Sequence, residues 1–155
     1  MRSWYTALAV VVLLACIGCS TFSRDYHAAL AQSRAPGSID GAWQGTWASA
    51  DGHHGGLRCI LTAVPGATSA APTTQPAPPV KYAARFEAAF WKVFTGRYTT
   101  VLTGTREADV TRLSGDHDLG SFLGRYHYEA TVTPNRFDAT YRTHGDHGEF
   151  HLTRP

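Results

Sequence analysis

From Asp40 onward the apolar residues of this 155-residue chain recur at every second position, segment after segment. A period of two is the signature of half-buried strands, and it excludes a helical domain over most of the sequence. Residues Ala42 to Ala48 place Trp43, Gly45 and Trp47 on one face and Gln44 and Thr46 on the other. Leu57 to Val64 puts Leu57, Cys59 and Leu61 together. Lys81 to Phe90 alternates most cleanly, with Tyr82, Ala84, Phe86, Ala88 and Phe90 opposite Lys81, Arg85 and Glu87. Arg97 to Gly104 carries Tyr98, Thr100 and Leu102, and a short fifth segment spans about Ala108 to Leu113. Arg125 to Thr133 aligns Tyr126, Tyr128, Ala130 and Val132. After Pro134-Asn135 a seventh segment aligns Phe137, Ala139 and Tyr141, and Glu149 to Arg154 adds Phe150 and Leu152.

Turn formers separate these segments. Asp51-Gly52-His53-His54-Gly55-Gly56 supplies glycines that take positive φ without steric cost. Residues 65–80 are a Pro/Ala/Thr-rich loop, extended and solvated, with five prolines from Pro65 to Pro79. Lengthening a surface loop costs little entropy, so this insertion leaves the fold intact. Leu119 to Gly124 reads as an irregular connection. About eight antiparallel strands in an open sheet would expose an apolar face and two edges. Closure removes both problems, and eight strands just fill their interior or hold one small ligand. The expected fold class is therefore all-β, a small antiparallel up-and-down β-barrel of about eight strands, with a β-sandwich as the alternative.

The inward face is unusually aromatic. Trp43, Trp47, Tyr82, Phe86, Tyr98, Tyr126, Tyr128 and Tyr141 are the candidate ligand-binding residues, interleaved with small Ala84, Ala88, Ala130 and Ala139. One reading is a filled core of large against small. The other is a pocket in which tyrosine hydroxyls orient a small apolar or amphipathic guest, favoured by the scarcity of inward aliphatic residues.

Histidine, at 8 residues, is the compositional outlier. In an up-and-down barrel alternate loops share an end, so the loops after the first, fifth and seventh strands would be neighbours on one rim. They are expected to carry Asp51, His53 and His54, then Asp116, His117 and Asp118, then His144, Asp146 and His147. Imidazole and carboxylate suit a divalent transition metal such as zinc, copper or nickel, and an open position holding water would make such a site hydrolytic. Solvated turns are the plainer reading, and a pH response of clustered imidazoles is a third. His127 and His151 face outward by parity, and His27 precedes the strands. No G-x-S-x-G, H-E-x-x-H, P-loop or G-x-G-x-x-G occurs, so the chain reads as a non-enzyme with no obligatory cofactor. Its net charge of +2, from 14 Lys+Arg against 12 Asp+Glu, is too weak for nucleic-acid binding by counterion release. A monomer is expected.

The N-terminus speaks about compartment. Arg2 is a short basic region, and Ala7 to Ala15 is an unbroken apolar run of nine residues. That is the length of a signal-peptide core, well short of the about 20 residues a membrane span needs. The run continues into Leu13-Leu14-Ala15-Cys16-Ile17-Gly18-Cys19-Ser20, which resembles a bacterial lipobox. The resemblance implies cleavage before a cysteine and acylation of it. Cys16 has Leu13 and Ala15 in the matching positions; Cys19, preceded by Gly18, is the alternative. An ordinary cleaved signal peptide and an uncleaved anchor are the competing readings. The expected organisation is a lipoprotein signal peptide at 1–15, a flexible tether at 16–39 with a weak helical stretch from Arg24 to Gln32, and a barrel domain at 40–155. Cys59 reads as a buried, inert thiol, with pairing to Cys19 as the other option.

A second resemblance lies at the ends of the barrel domain. Gly41-Ala42-Trp43 together with Arg154 resembles the lipocalin and avidin-like (calycin) pattern. That likeness implies that a G-x-W on the first strand closes one barrel end and that a basic residue from the last strand packs across the indole, a favourable cation–π contact. Gly45-Thr46-Trp47 also fits the short motif and leaves the register open. The run of W-x-G-x-W, G-H-x-G-G-L and D-H-G-x-F-x-L is similar to small bacterial lipoproteins of unknown function. Taken together, the expectation is a lipid-anchored cell-envelope protein, facing the periplasm or the cell surface, whose partners are the membrane and a small apolar ligand.

Overall fold

The computed structural model describes residues 21–65, 78–90, 94–118, 120 and 124–155. The lipidation candidates Cys16 and Cys19, the apolar N-terminal run and most of the Pro/Ala/Thr-rich loop lie outside the described residues. Two compact units are present, Met1–Gln32 and Ser33–Pro155. In the first, residues 21–31 form a helix whose Phe22, Tyr26 and Ala29 are buried, at a spacing that places them on one helical face. Among the described residues no helix is long and apolar enough to cross a membrane.

The second unit is built from eight strands: β1 (Gly41–Ser49), β2 (His54–Ala63), β3 (Val80–Phe90), β4 (Phe94–Glu107), β5 (Val110–Asp118), β6 (Arg125–Val132), β7 (Arg136–Arg142) and β8 (His147–Thr153). Each pairs antiparallel with the next, and β1 pairs with β8 from Gln44↔Thr153 to Ser49↔Gly148. The sheet closes into an up-and-down barrel, as the alternation predicts, and the sandwich alternative is set aside.

Parity decides what fills it. Trp43, Phe86, Phe137, Leu102, Leu113 and Leu152 are essentially inaccessible to solvent. Bulk alternates with its absence along the cross-strand rows: Trp47 lies beside Phe150, then Ala139, Ala130 and Leu113. This interleaving is what packs aromatic rings from opposite walls at interior density. Ile39, expected in the tether, joins this core. Phe90 stands at the end of β3 with its ring tilted against the inward Trp47, centroids 4.8 Å apart, and is left 36% exposed there.

The outer face carries charge in cross-strand pairs. Glu87 lies directly between Arg58 on β2 and Arg97 on β4 and is bonded to both. Burial alone would raise its carboxyl, but the hydrogen bonds and charges of the two arginines outweigh it, and the pKa is lowered.

One boundary departs from the sequence reading. Asp116, His117 and Asp118 do not belong to a loop; they continue β5, paired with His127, Tyr126 and Arg125 of β6. Gly and Asp are poor strand formers, yet the facing strand β6 takes hydrogen bonds from alternate residues of this run, and tertiary pairing overrides local preference. The pairing of β4 with β5 is correspondingly short, running from Thr103↔Ser114 to Glu107↔Val110.

Candidate functional site

The two barrel ends are built differently. At the end where β1 begins, Gly41 stands at φ 107, a conformation that favours glycine and sets the chain for Trp43 to turn inward. The Trp43 indole N–H donates to the Ile39 carbonyl at 3.0 Å. Arg154, just past β8, lays its guanidinium over that indole, 3.6 Å from the ring centroid. The guanidinium also donates to the carbonyls of Pro134 (3.0 Å), Ala42 (3.2 Å) and Ser38 (3.0 Å). One side chain thus ties together the segment before β1, β1 itself and the β6–β7 turn. Burial and the charge of Arg34 lower its pKa to about 10, leaving it protonated at neutral pH. The geometry that the G-x-W resemblance implies is present, and it is Gly41-Ala42-Trp43 that provides it.

The opposite end is lined with hydroxyls. Ser49, Gly148, Tyr141, Tyr128 and Gly115 face inward along one row across five neighbouring strands. A Cβ at Gly148 would stand 2.6 Å from the Tyr141 hydroxyl, so this glycine makes the space that the ring fills. Tyr126 lies beside both tyrosines, its ring centroid 5.9 Å from Tyr128 and 5.7 Å from Tyr141. Tyr98 of β4 stacks 6.4 Å from Tyr128 and 6.3 Å from the His117 imidazole, spanning the interval where β4 and β5 are not paired. Tyr98, His117, Tyr126 and Tyr141 all keep partial exposure. Asp146, in the β7–β8 turn, completes the cluster by accepting from the Ser49 hydroxyl at 2.7 Å and the Tyr141 hydroxyl at 3.3 Å. One inward step below Tyr98, Thr100 buries a hydroxyl with no hydrogen-bond partner among the described residues.

These phenols are hard to ionise. Burial raises the Tyr98 hydroxyl well above the ordinary value, with the neighbouring Tyr128 adding to the effect. Burial likewise raises Tyr128 and, together with the Asp146 charge, raises Tyr126 and pushes Tyr141 up to about 12. A phenol whose folded pKa lies above its unfolded one stabilises the fold below the unfolded value, near pH 10, and that contribution is lost as pH climbs through the folded value. Resistance to urea is therefore expected to fall from about pH 10 upward. Absorbance titration should show these tyrosines ionising late, merging with the unfolding transition; tyrosines that all titrate normally in the folded barrel would contradict the geometry.

The eight aromatic candidates divide between the ends. Trp43 and Phe86 are sealed in the core, and Tyr82 packs over Gly104 towards the Trp43 end. Trp47 is buried near the tyrosine end, its indole donating to the Ala89 carbonyl at 3.1 Å. Tyr98, Tyr126, Tyr128 and Tyr141 form the cluster. Burial pushes the Cys59 thiol strongly up, as suits an inert core residue.

The histidine rim is dispersed. His53 and His144 lie exposed in turns, His54 opens β2 with its ring against the Gly52 carbonyl, and His147 opens β8 facing outward. Asp51 is exposed in the first turn, and Asp118 accepts from the Gly120 backbone. Asp116 faces outward and pairs with His127 at 3.0 Å, whereas His117 points inward to Tyr98. Among the described residues no group of three or more His, Cys, Asp or Glu side chains is placed to hold a metal ion. A further outer pair, His151 with Asp138 at 2.7 Å, raises the imidazole pKa chiefly through that hydrogen bond. Sequence parity set aside His127 and His151 and missed Ser49, whose only clue was its place two residues beyond Trp47.

Two grooves, of about 530 and about 750 Å³, lie on the outer wall beside Arg58 and Glu87 and beside Asp138 and His151. Neither includes a tyrosine. No protein-family model matches the chain, and no curated protein matches it by sequence.

Proposed function

We propose that this protein is a lipid-anchored component of the bacterial cell envelope whose barrel binds a small amphipathic ligand at its tyrosine end. The observation that carries the reading is the contrast between the two ends. One is sealed by Trp43 and Arg154, while the other presents partly exposed rings and hydroxyls of Tyr98, Tyr126 and Tyr141 above a packed core. Aromatic rings with polar tips suit a guest that is apolar on one side and wet on the other. The core below is filled by Phe86, Phe137 and Phe150, so the ligand sits shallowly in the mouth rather than deep in the barrel. The same filled core favours a second reading, a structural module of the envelope that binds nothing small. The lipid anchor rests on the lipobox-like Leu13-Leu14-Ala15-Cys16.

Two experiments test this. Full-length protein isolated from bacterial membranes should carry acyl mass on Cys16, and Cys16→Ser should abolish both the acyl mass and membrane retention. Acylation that survives Cys16→Ser and disappears in Cys19→Ser moves the anchor to the alternative cysteine; unaltered protein without acyl mass removes the anchor. For binding, full-length protein in lipid nanodiscs with ¹³C-labelled tyrosine rings is titrated with hexanol, a neutral amphiphile. Saturable shifts are expected at Tyr126 and Tyr141 and not at Tyr82. Unchanged rings with hexanol and with the probes below would leave the structural module.

A further inference from the structure

The carboxylate at the tyrosine end differs from the other inter-strand carboxylates of the barrel. Glu87 is bonded to two arginines, Asp138 to Arg136 and His151, and Asp116 to His127. At Glu87 and Asp138 an arginine matches the charge in place, whereas Asp116, Glu129 and Glu149 have only histidine as ion-pair partner among the described residues. Asp146 is held instead by two neutral hydroxyls, Ser49 and Tyr141, and has no ion pair with any described residue. Its backbone is equally fixed: the Asp146 N–H donates to the Thr143 hydroxyl at 2.9 Å, and its carbonyl accepts from the Thr143 N–H at 2.7 Å. A carboxylate has about four acceptor positions, and two neutral donors leave both its charge and part of its accepting capacity unanswered.

That fixed negative charge stands beside a π surface. Tyr141 touches it directly, Tyr126 lies 5.7 Å from Tyr141 ring to ring, and Tyr128 and Tyr98 continue the series inward. The Asp146 charge reaches both outer rings, as it helps to hold the Tyr126 and Tyr141 phenols protonated. A neutral hydroxyl can donate to the carboxylate but leaves its charge unmatched. A cation gains from both features, because ring faces attract positive charge electrostatically and more strongly where water is displaced. Ammonium groups carrying alkyl substituents combine the charge with an apolar exterior, which is what tyrosine rings beside a carboxylate accommodate.

We infer that the ligand bound at the tyrosine end is an amphipathic cation, an alkylated ammonium compound whose positive group sits between Asp146 and the rings of Tyr126 and Tyr141. This deepens the binding reading above and rests on it. Glu87 and Asp138 compete less, because arginine already matches their charges, and the tyrosine-ring readout with the Asp146→Asn control separates Asp146 from the carboxylates that face only histidine.

The test uses an isosteric pair that differs in charge alone, choline and 3,3-dimethylbutan-1-ol, on full-length protein in nanodiscs at about pH 8, above the ordinary imidazole value. Tyrosine-ring shifts are read at constant ionic strength. Choline is expected to bind at least about tenfold more tightly than its neutral isostere. Asp146→Asn, which keeps the size and accepting oxygen of the side chain, should reduce that ratio to about one while leaving the Tyr82 signal in place as a folding control. Tyr126→Leu should weaken choline more than the alcohol. Equal binding of the pair, tighter binding of the alcohol, or hexanol binding without choline would overturn the cation while sparing the binding site. A preference that survives Asp146→Asn would overturn the assignment to that carboxylate. Failure of choline, its isostere and hexanol alike would remove the binding reading together with this one.

Discussion

Replacing Trp43 with alanine is expected to destabilise the protein by about 3–5 kcal/mol, the range for emptying a large aromatic site in a packed core. The indole is wholly buried, meets the Phe137 ring edge-on at 5.6 Å, and is covered by Arg154. Its removal leaves a cavity that rigid strand backbones cannot collapse around, and it also takes away the ring on which the guanidinium lies. Trp43→Phe should cost clearly less, since it keeps an aromatic body and loses chiefly the N–H bond to Ile39. Arg154→Met should fall between them, because three carbonyls lose a charged donor while the aliphatic chain still covers the indole. Urea midpoints at constant m-value measure all three. Because domains of this kind rest on about 5–15 kcal/mol in total, Trp43→Ala should bring the barrel near its stability limit. A loss below about 1 kcal/mol would mean that the Trp43 end is not sealed as described.

The second large effect comes from a residue with no side chain. Gly45→Ala is expected to cost at least about 3 kcal/mol, beyond the usual overpacking range, and Gly45→Val should prevent closure altogether. A Cβ on Gly45 would lie 1.9 Å from the backbone oxygen of His151 and 2.9 Å from the Leu152 Cα. The obstacle is main chain, so no rotamer change relieves it. Gly45 pairs with Leu57 on one side and Leu152 on the other, at the seam where β1 meets β8. Strands bend sharply at barrel corners, and a glycine lets two backbones approach there. Gly56, which meets nothing within 4 Å, is the control: Gly56→Ala should change stability by less than about 0.5 kcal/mol. Equal effects at the two positions would argue against a tight seam.

Much of this architecture is legible in the residues themselves. The alternation of Tyr82, Ala84, Phe86 and Ala88, or of Tyr126, Tyr128, Ala130 and Val132, fixes which side chains point inward, and eight such runs leave closure as the economical solution. The Trp43–Arg154 contact is what the resemblance carried by Gly41-Ala42-Trp43 and Arg154 implies, with parity placing Arg154 on the side of Phe150 and Leu152. The run Ser114-Gly115-Asp116-His117-Asp118 was opaque because its composition is that of a turn; only the facing strand β6 makes it extended, turning His117 inward and Asp116 outward. The same limit hid the role of Asp146. Sequence places it among histidines as a metal candidate, whereas its partners Ser49 and Tyr141 are brought to it by the pairing of β8 with both β1 and β7. Composition records which groups a chain owns; register decides which of them meet.

The pairing of Gln44 with Thr153, and the grip of Arg154 on Ser38 and Ala42, have a consequence in time. Chain emerging from the ribosome can form the hairpins in order, each from neighbouring residues, but the seam needs partners about a hundred positions apart in sequence. Loop-closure entropy is met before such contacts repay it, so the seam is the slow, late event. Until β8 is available to pair with β1, the polypeptide is an open ribbon with both edges bare. Such a ribbon is vulnerable to aggregation. A barrel closed by pairing its first strand with its last cannot complete its sheet before translation has reached that last strand.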